Sequence, residues 1–371
     1  MVKEIKEIQK KDIPQLMEDT TFWDHPFLAV SKHRLWSHYH NPTCADRDIV
    51  LLLAYIDGEL VGYMGAYTDF VYTGEQKQKI AWLSTWWVHP KTKGTGIGRL
   101  LLDTMYTKQN GQIGISQFTP SAKRVYDKSG YFMDLKSSPG IKAVLRSNLS
   151  FIIPTLLPKA KFLYPFFDFA DRALNVLINA RLSFCRRTLQ KKLKNTTIDY
   201  LPFPDTAVRM LIDTYGKQDI AQKSNAFFNW LKTYHWVYEA PLLSNTTKDR
   251  YVFSMYDQSF GYYFVKISEH KTCIGFIVLQ KRGTTLKVLF TYFDDKKYGE
   301  LVANVIKQHA IQLKIREIIC YDPAIVTALF SSSIFLYKKE KVKQSIISKA
   351  FGLEDCSNIR VNFGDGDCCF A

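Results

Sequence analysis

The chain has 371 residues, 46% of them hydrophobic, 23% charged and 14% aromatic, and its 50 Lys and Arg stand against 35 Asp and Glu for a formal charge of +15. At about 150 residues per domain this length predicts two domains or three. The apolar fraction excludes a disordered chain, and 19 Gly and 13 Pro without a period exclude a fibrous one.

Taken in order, Lys3–Ile8 has the pattern of a strand, and Asp12 is placed to cap a helix with Pro14 in its first turn. Asp48–Ile56 and Leu60–Thr68 are apolar and flank Asp57-Gly58, a favoured type I′ hairpin turn. Ile80–Val88 is a further strand, stopped by Pro90. A Gly-rich loop leads into a helix over about Gly98–Lys108. Gln112–Phe118 then reads as a strand, Ser121–Lys128 as a helix and Tyr131–Leu135 as a strand. This alternation over 1–146 is a mixed α/β layout.

The texture changes over 147–199. Phe151–Phe169 is aromatic and Pro-containing, and Asp171–Leu193 has the period of a long amphipathic helix. Residues 151–200 hold nine Lys or Arg against three Asp, a net +6. The favoured reading is an inter-domain helix whose apolar stripe docks on protein; peripheral membrane contact through 151–194 is the second. From 200 to 371 the α/β texture returns. Helices are expected at Thr206–Tyr215, capped by Asp205, and at Asn225–Thr233, with strands at Tyr262–Ser268, Cys273–Gln280 and Thr285–Phe293. A helix over Tyr298–Leu313, a strand at Glu317–Tyr321 and a helix at Pro323–Ser331 complete the order, repeating the topology of 1–146 without a visible sequence repeat. Asn362–Asp367 reads as a closing turn, too short for a calcium loop.

No run reaches 18 apolar residues, so no transmembrane segment is predicted, and Met1–Ile8 alternates charge with apolar residues, unlike a secretory signal. Seven Cys without a C-x-x-C pair point to reduced thiols, a cytoplasmic location and no metal site. The charge of +15 favours anionic partners, yet no basic run is interleaved with aromatics in a nucleic-acid-binding motif, so none is expected.

The segment with most chemistry runs from Trp86 to Leu102. Its Gly-rich turn opens a helix, where backbone amides lack intrahelical partners at the positive end of the helix dipole. Gly94, Gly96 and Gly98 let a diphosphate approach the backbone, and Lys91, Lys93 and Arg99 add positive charge. It is not a P-loop, because no G-K-[ST] comes after the glycines.

Val88-x-Pro90 followed by Lys93-Gly94-Thr95-Gly96-Ile97-Gly98-Arg99 resembles motif A of the GNAT superfamily of acyl-CoA N-acyltransferases, written [RQ]-x-x-G-x-[GA]. Ala122 to Phe132, with Tyr126, Gly130 and Tyr131, resembles the family's A-x-x-x-Y-x-x-x-G-[FY] signature. The resemblance implies a mixed-sheet GNAT fold over 1–146 and, in layout alone, a second, degenerate GNAT-like domain over 200–371. It also implies acetyl-CoA as co-substrate, a split between the fourth and fifth strands, pantetheine against the backbone of Trp87 and Val88, and the pyrophosphate on Lys93, Gly94, Thr95, Gly96, Ile97, Gly98 and Arg99. Tyr126 takes the role of general acid towards the CoA thiolate.

Two positions depart from the motifs: Lys93 stands for Arg or Gln, and Thr119 for a common Asn. No carboxylate lies on Ile80–Val88, which leaves Asp69, His89, Ser84 and Thr85 as open candidates for the base. The acceptor, a small-molecule or peptide amine, is expected against Phe22–Pro26 and His33–His40. The second domain has Asp294 and Asp295 where phosphate would sit, which would repel it. The implied activity is N-acetyl transfer by direct attack in a ternary complex; a non-catalytic CoA-sensing or protein-interaction module is the alternative, and a homodimer stays open.

Overall fold

The computed structural model describes residues 2–235, 253, 257 and 259–369. They divide into two compact units: unit 1 takes 1–138, 216–260 and 343–371, and unit 2 takes 139–215 and 261–342. The segment from residue 200 onward thus contributes to both units.

In unit 1, strands β1 (Lys3–Gln9), β2 (Ile49–Ile56), β3 (Glu59–Thr73) and β4 (Gln76–Val88) form an antiparallel run, and β5 (Ile113–Ile115) joins β4 in parallel. The Asp57-Gly58 turn has φ of 50° and 86°, as a type I′ turn requires. Ile49–Ala54 is an unbroken apolar run because both of its faces are covered. Leu51 and Leu53 meet α1 (Ile13–Glu18), α2 (Thr20–Trp23) and α3 (Lys32–Tyr39) in one core, with Leu16, Leu35 and Tyr63. Leu52 and Ala54 join the opposite core beneath α4 (Ile97–Lys108) and α5 (Pro120–Ser129), with Leu101, Met105 and Tyr126.

The strand expected over Gln112–Phe118 is shorter in the structure. β5 stops at Ile115, and its far edge is taken by Ile346 and Ile347 of β12 (Tyr337–Ser348), a strand whose Lys-rich start masks it in the sequence. Asp12 precedes α1, but its carboxylate accepts from Gln9 N–H (2.9 Å) instead of capping that helix.

Unit 2 orders its strands β6-β11-β10-β9-β8-β7, with β6 (Phe132–Val144) entering from unit 1, then β7 (Thr196–Leu201), β8 (Gly261–Glu269), β9 (Thr272–Arg282), β10 (Thr285–Phe293) and β11 (Glu317–Cys320). Helix α8 (Thr206–Tyr215), capped by Asp205, and α9 (Asn225–Thr233, in unit 1) lie where the sequence predicts them. α10 (Asp295–Gln312) and α11 (Pro323–Phe330) pack on the sheet around Val302, Ile306 and Leu329. α6 (Leu149–Leu156) precedes α7 (Tyr164–Lys192), which starts well before Asp171. Asp171 does not open α7: its carboxylate accepts from Leu149 N–H (2.8 Å) and Ser150 N–H (2.9 Å), pinning α6 to it.

Candidate active site

β4 and β5 pair only at Ala81–Ile113 and Trp82–Gly114. Beyond Trp82 the edge of β4 that faces away from β3 has no strand partner among the described residues, so the sheet opens into a split. Gly114 sits at its apex, where a Cβ would come within 2.8 Å of Ile80 and 2.9 Å of the Trp82 ring. The other determinant is a bulge. Tyr63 faces Trp87 and Gly65 faces Ser84, so β4 carries one extra residue there, and Thr85 adopts a φ of 48°. The bulge breaks the strict alternation of faces along β4: Leu83 and Trp86 lie in the α4/α5 core, Ser84 and Trp87 on the α3 side.

The turn after Val88 holds most of the expected cofactor residues. Pro90–Thr92 forms a single 3₁₀ turn, and Gly94 and Gly96 have φ of 86° and 80°, a region that favours glycine. Thr95 folds back through its N–H (3.1 Å) and Oγ1 (2.7 Å) onto the Thr92 carbonyl. α4 starts at Ile97 without a side-chain cap. Among the described residues the N–H groups of Gly94, Gly96, Ile97 and Gly98 have no acceptor, which is the geometry that binds an anion at a helix start. A Cβ at Gly98 would lie 3.2 Å from the Trp86 ring, so glycine lets α4 settle on that indole. Lys93 is exposed beside the loop, and Trp87 and Val88 are half-buried at the end of β4. Arg99 is engaged elsewhere: Nε donates to both oxygens of Asp103 (2.7 and 2.8 Å), and Nη2 reaches the Tyr131 hydroxyl (3.4 Å).

Tyr126 is the buried side chain of α5, a helix capped by Thr119 Oγ1 and closed by Gly130 at a φ of 75°. Thr119 thus holds the helix start where the motif often has Asn. The Tyr126 ring packs on Trp86 (5.4 Å between centroids) and Phe132 (5.3 Å). Its hydroxyl has no hydrogen-bond partner among the described residues, and Trp86 Nε1 is buried without one. Burial holds the phenol well above its ordinary range, and the nearby Asp367 carboxylate adds to this.

Asp367 was not singled out by the sequence. It lies in a 3₁₀ turn, Gly366–Cys369, seated against Ser116 just past β5. Ser116 Oγ donates to Asp367 Oδ1 (3.1 Å) and meets Cys368 Sγ at 3.3 Å. Gly366 has a φ of 68°, and a Cβ there would come 2.6 Å from Ser116 Oγ, so only glycine brings the turn this close. The carboxylate interacts electrostatically with Tyr126 of α5 and with Arg34 of α3. Burial raises its proton affinity, and Arg34 and Ser116 oppose that rise.

The four sequence candidates for the base have other work. Lys223 Nζ lies 2.5 Å from Asp69 Oδ2 and 3.4 Å from Asp365 Oδ1, so Asp69 belongs to a buried ionic cluster. Ser84 accepts from Arg34, His89 Nδ1 accepts from Lys91 N–H (3.1 Å), and Thr85 forms the bulge. Of the two acceptor segments, Phe22, His25 and Pro26 line a cavity of about 670 Å³ with Tyr55, His89 and Lys91. His33–His40 do not converge on it: His38 is buried against Arg34 Nε (3.3 Å), and His40 stacks on Tyr234 (4.3 Å). Among the described residues no group of three His, Cys, Asp or Glu is placed to hold a metal.

Burial lowers both His33 and His235 to about 4, their mutual repulsion contributing at His33. The unfolded chain takes up these protons near pH 6.5, before the folded one does, so stability falls as pH drops from there towards 4. Thermal melts at pH 7.5 and 5.5 are expected to show a lower Tm at 5.5, by about 5 °C, and a smaller drop in His235→Gln. Equal midpoints would contradict this.

Unit 2 repeats the strand order and sense of unit 1. β10 also shifts register, between Val288 and Phe290. At the start of α10, however, Asp294 accepts from Lys296 N–H (3.1 Å) and Lys297 N–H (3.2 Å), occupying the amides that α4 leaves bare.

Residues 11–131 match the family model described as the Acetyltransferase (GNAT) family. No curated protein matches. Among solved structures, the chain is similar to a GCN5-related N-acetyltransferase from Anabaena variabilis ATCC 29413, at 9% identity and a TM-score of 0.50, covering 93% of this chain and 72% of that one. It is also similar to a conserved protein of unknown function from Enterococcus faecalis V583, described as a probable N-acyltransferase, at 10% identity and a TM-score of 0.51, covering 94% and 74%. At these identities the likeness is one of fold, and it extends over most of the chain. Residues 11–131 are therefore a GNAT acetyltransferase domain, within a mixed α/β chain that has GNAT-fold neighbours over nearly its whole length.

Proposed function

We propose that unit 1 transfers an acetyl group from acetyl-CoA to a primary amine of a small molecule or peptide, within one ternary complex. The observation that carries this reading is the loop of four unpartnered N–H groups at the mouth of the β4/β5 split. These amides would hold the diphosphate, with Lys93 beside them, and the unpaired edge near Trp87 and Val88 would hold the pantetheine amides. Acetyl-CoA supplies an activated thioester. Tyr126 gives its hydroxyl proton to the departing sulfur, and Asp367 takes the proton that the amine loses as its nitrogen bonds to the acyl carbon. Returning that proton from Asp367 to Tyr126 restores both groups, so the sum is amide plus free thiol. The burial that raises Tyr126 keeps it protonated until a thiolate forms beside it.

Isothermal titration with acetyl-CoA and with CoA tests the reading, the parent beside Gly96→Glu. Gly96 needs its left-handed φ, and the new carboxylate would repel a diphosphate. Micromolar binding by the parent, weakened by about 100-fold or more in the variant, is expected. A parent that binds neither ligand would refute the assignment.

A further inference from the structure

Unit 2 carries a helical hairpin whose apolar side is turned to water. Among residues 151–177, which run through α6, the 3₁₀ segment Pro158–Leu163 and the first half of α7, Asp171 alone is buried. Phe162 is 78% exposed and Leu156 and Leu177 are each 71% exposed, with Phe151, Phe166 and Phe169 close behind. The second half of α7 behaves differently: Leu182 and Leu189 enter the core with Ile178 and Cys185 packed beside them. The docked-stripe reading of the sequence therefore describes half of this helix. The other half and α6 form an apolar surface of a kind that a water-facing protein rarely leaves uncovered.

Charge selects what covers it. Lys159 and Lys161 lie among the exposed aromatics, and no acidic residue occurs between Leu149 and Phe167. Asp168, the first acid after them, pairs with Arg172 (2.7 Å). A second copy docked face to face would bring the same lysines and no acid to meet them. Anionic headgroups would meet them with opposite charge, while the lysine stems run along apolar surface and the Phe and Leu side chains enter the acyl boundary. Pro158 opens the 3₁₀ segment and Pro165 lies in the first turn of α7, and no helix among the described residues is long and apolar enough to cross a membrane, which suits a segment lying in the interface.

We propose that residues 149–177 are an interfacial hairpin that binds an anionic lipid bilayer through exposed Phe and Leu side chains and through Lys159 and Lys161. This inference does not depend on the acyl-transfer assignment.

Flotation of the full chain with phosphatidylcholine vesicles, with and without 30 mol% phosphatidylglycerol (about a third anionic lipid), tests it at ~0.1 M salt. The parent is expected to float with the anionic vesicles and to partition at least about tenfold less onto the neutral ones. The triple variant Phe162→Ser, Phe166→Ser, Phe169→Ser should lose flotation, and Lys159→Glu with Lys161→Glu should weaken it. All five positions are solvent-facing, so an unchanged thermal midpoint will separate lost binding from lost folding. In Phe162→Trp the indole emission should shift to the blue on adding anionic vesicles. Failure of the parent to float, flotation unaffected by the triple variant, or an emission that does not move would each overturn the proposal. So would a lipid-free dimer in sedimentation equilibrium that the triple variant dissociates without any flotation of the parent, which would assign the face to a second copy.

Discussion

Replacing Tyr126 by Phe is expected to lower turnover by about 10²–10⁴-fold while leaving CoA and acetyl-CoA affinity within about twofold of the parent. The ring contributes packing to Trp86 and Phe132, which Phe preserves; only the hydroxyl, which has no protein partner among the described residues, is removed. A group that acts on the leaving thiolate is used only in the transition state, so its loss appears in kcat and not in KM. Asp367→Asn should fall in the same range and also abolish the acidic limb of the pH profile. Burial raises that carboxyl's proton affinity, so it must lose its proton before it can accept one from the amine, and activity rises with pH through its titration. Thiol release with a panel of simple primary amines reads both variants. A Tyr126→Phe protein as active as the parent would remove the acid from the mechanism, and one indifferent in every assay would favour a CoA-sensing module.

Lys223→Met is the substitution expected to cost most in stability, about 3–5 kcal/mol. The ammonium is 1% exposed and bridges Asp69 and Asp365, whose side chains are themselves 5% and 0% exposed. Removing the cation leaves two carboxylates facing each other without water. Asp365 is already raised to about 6 by burial, with Lys223 opposing the rise, and it would climb further in the variant. Protonation would then relieve the repulsion, so the stability gap between variant and parent should narrow as pH falls towards about 6, where Asp365 of the parent begins to take up its own proton. Adding Asp69→Asn to Lys223→Met should recover part of the loss. Urea unfolding at pH 7.5 and 5.5 measures all of this, and a deficit under about 1 kcal/mol at pH 7.5 would contradict it.

Features whose cause is local were legible in the chain. Asp57-Gly58 specifies its own turn, and Gly94 and Gly96 mark left-handed positions that a strand-to-helix loop needs. Tyr126 comes after a capping Thr and before a closing Gly, so its helix and its buried face are both written within eleven residues of Thr119. The split itself was legible only through family resemblance. Its bulge rests on Thr85, a β-branched residue at a positive φ that no propensity would place there. The proposed base was hidden for a different reason. Asp69 has the look of an available carboxylate in the sequence, yet the fold sets Lys223 beside it; Asp367 has the look of a turn residue, yet the fold sets it against Ser116. Neither pairing leaves a mark on the neighbouring sequence. The same holds for 151–177, where helical period alone does not tell a docked stripe from an uncovered one.

Ser116 and Asp367 are 251 positions apart, and that distance has a meaning for synthesis. A ribosome adding about 5–20 residues per second would separate their emergence by roughly 12–50 s. Through that interval the Gly-rich loop and Tyr126 already exist, while β5 waits with its far edge open for Ile346 and Ile347. An open strand edge invites pairing with another nascent chain. The cover for that edge and the Asp367 carboxylate would therefore reach the growing polypeptide in one late step. Chains stalled before that step would be the population that chaperones must shield.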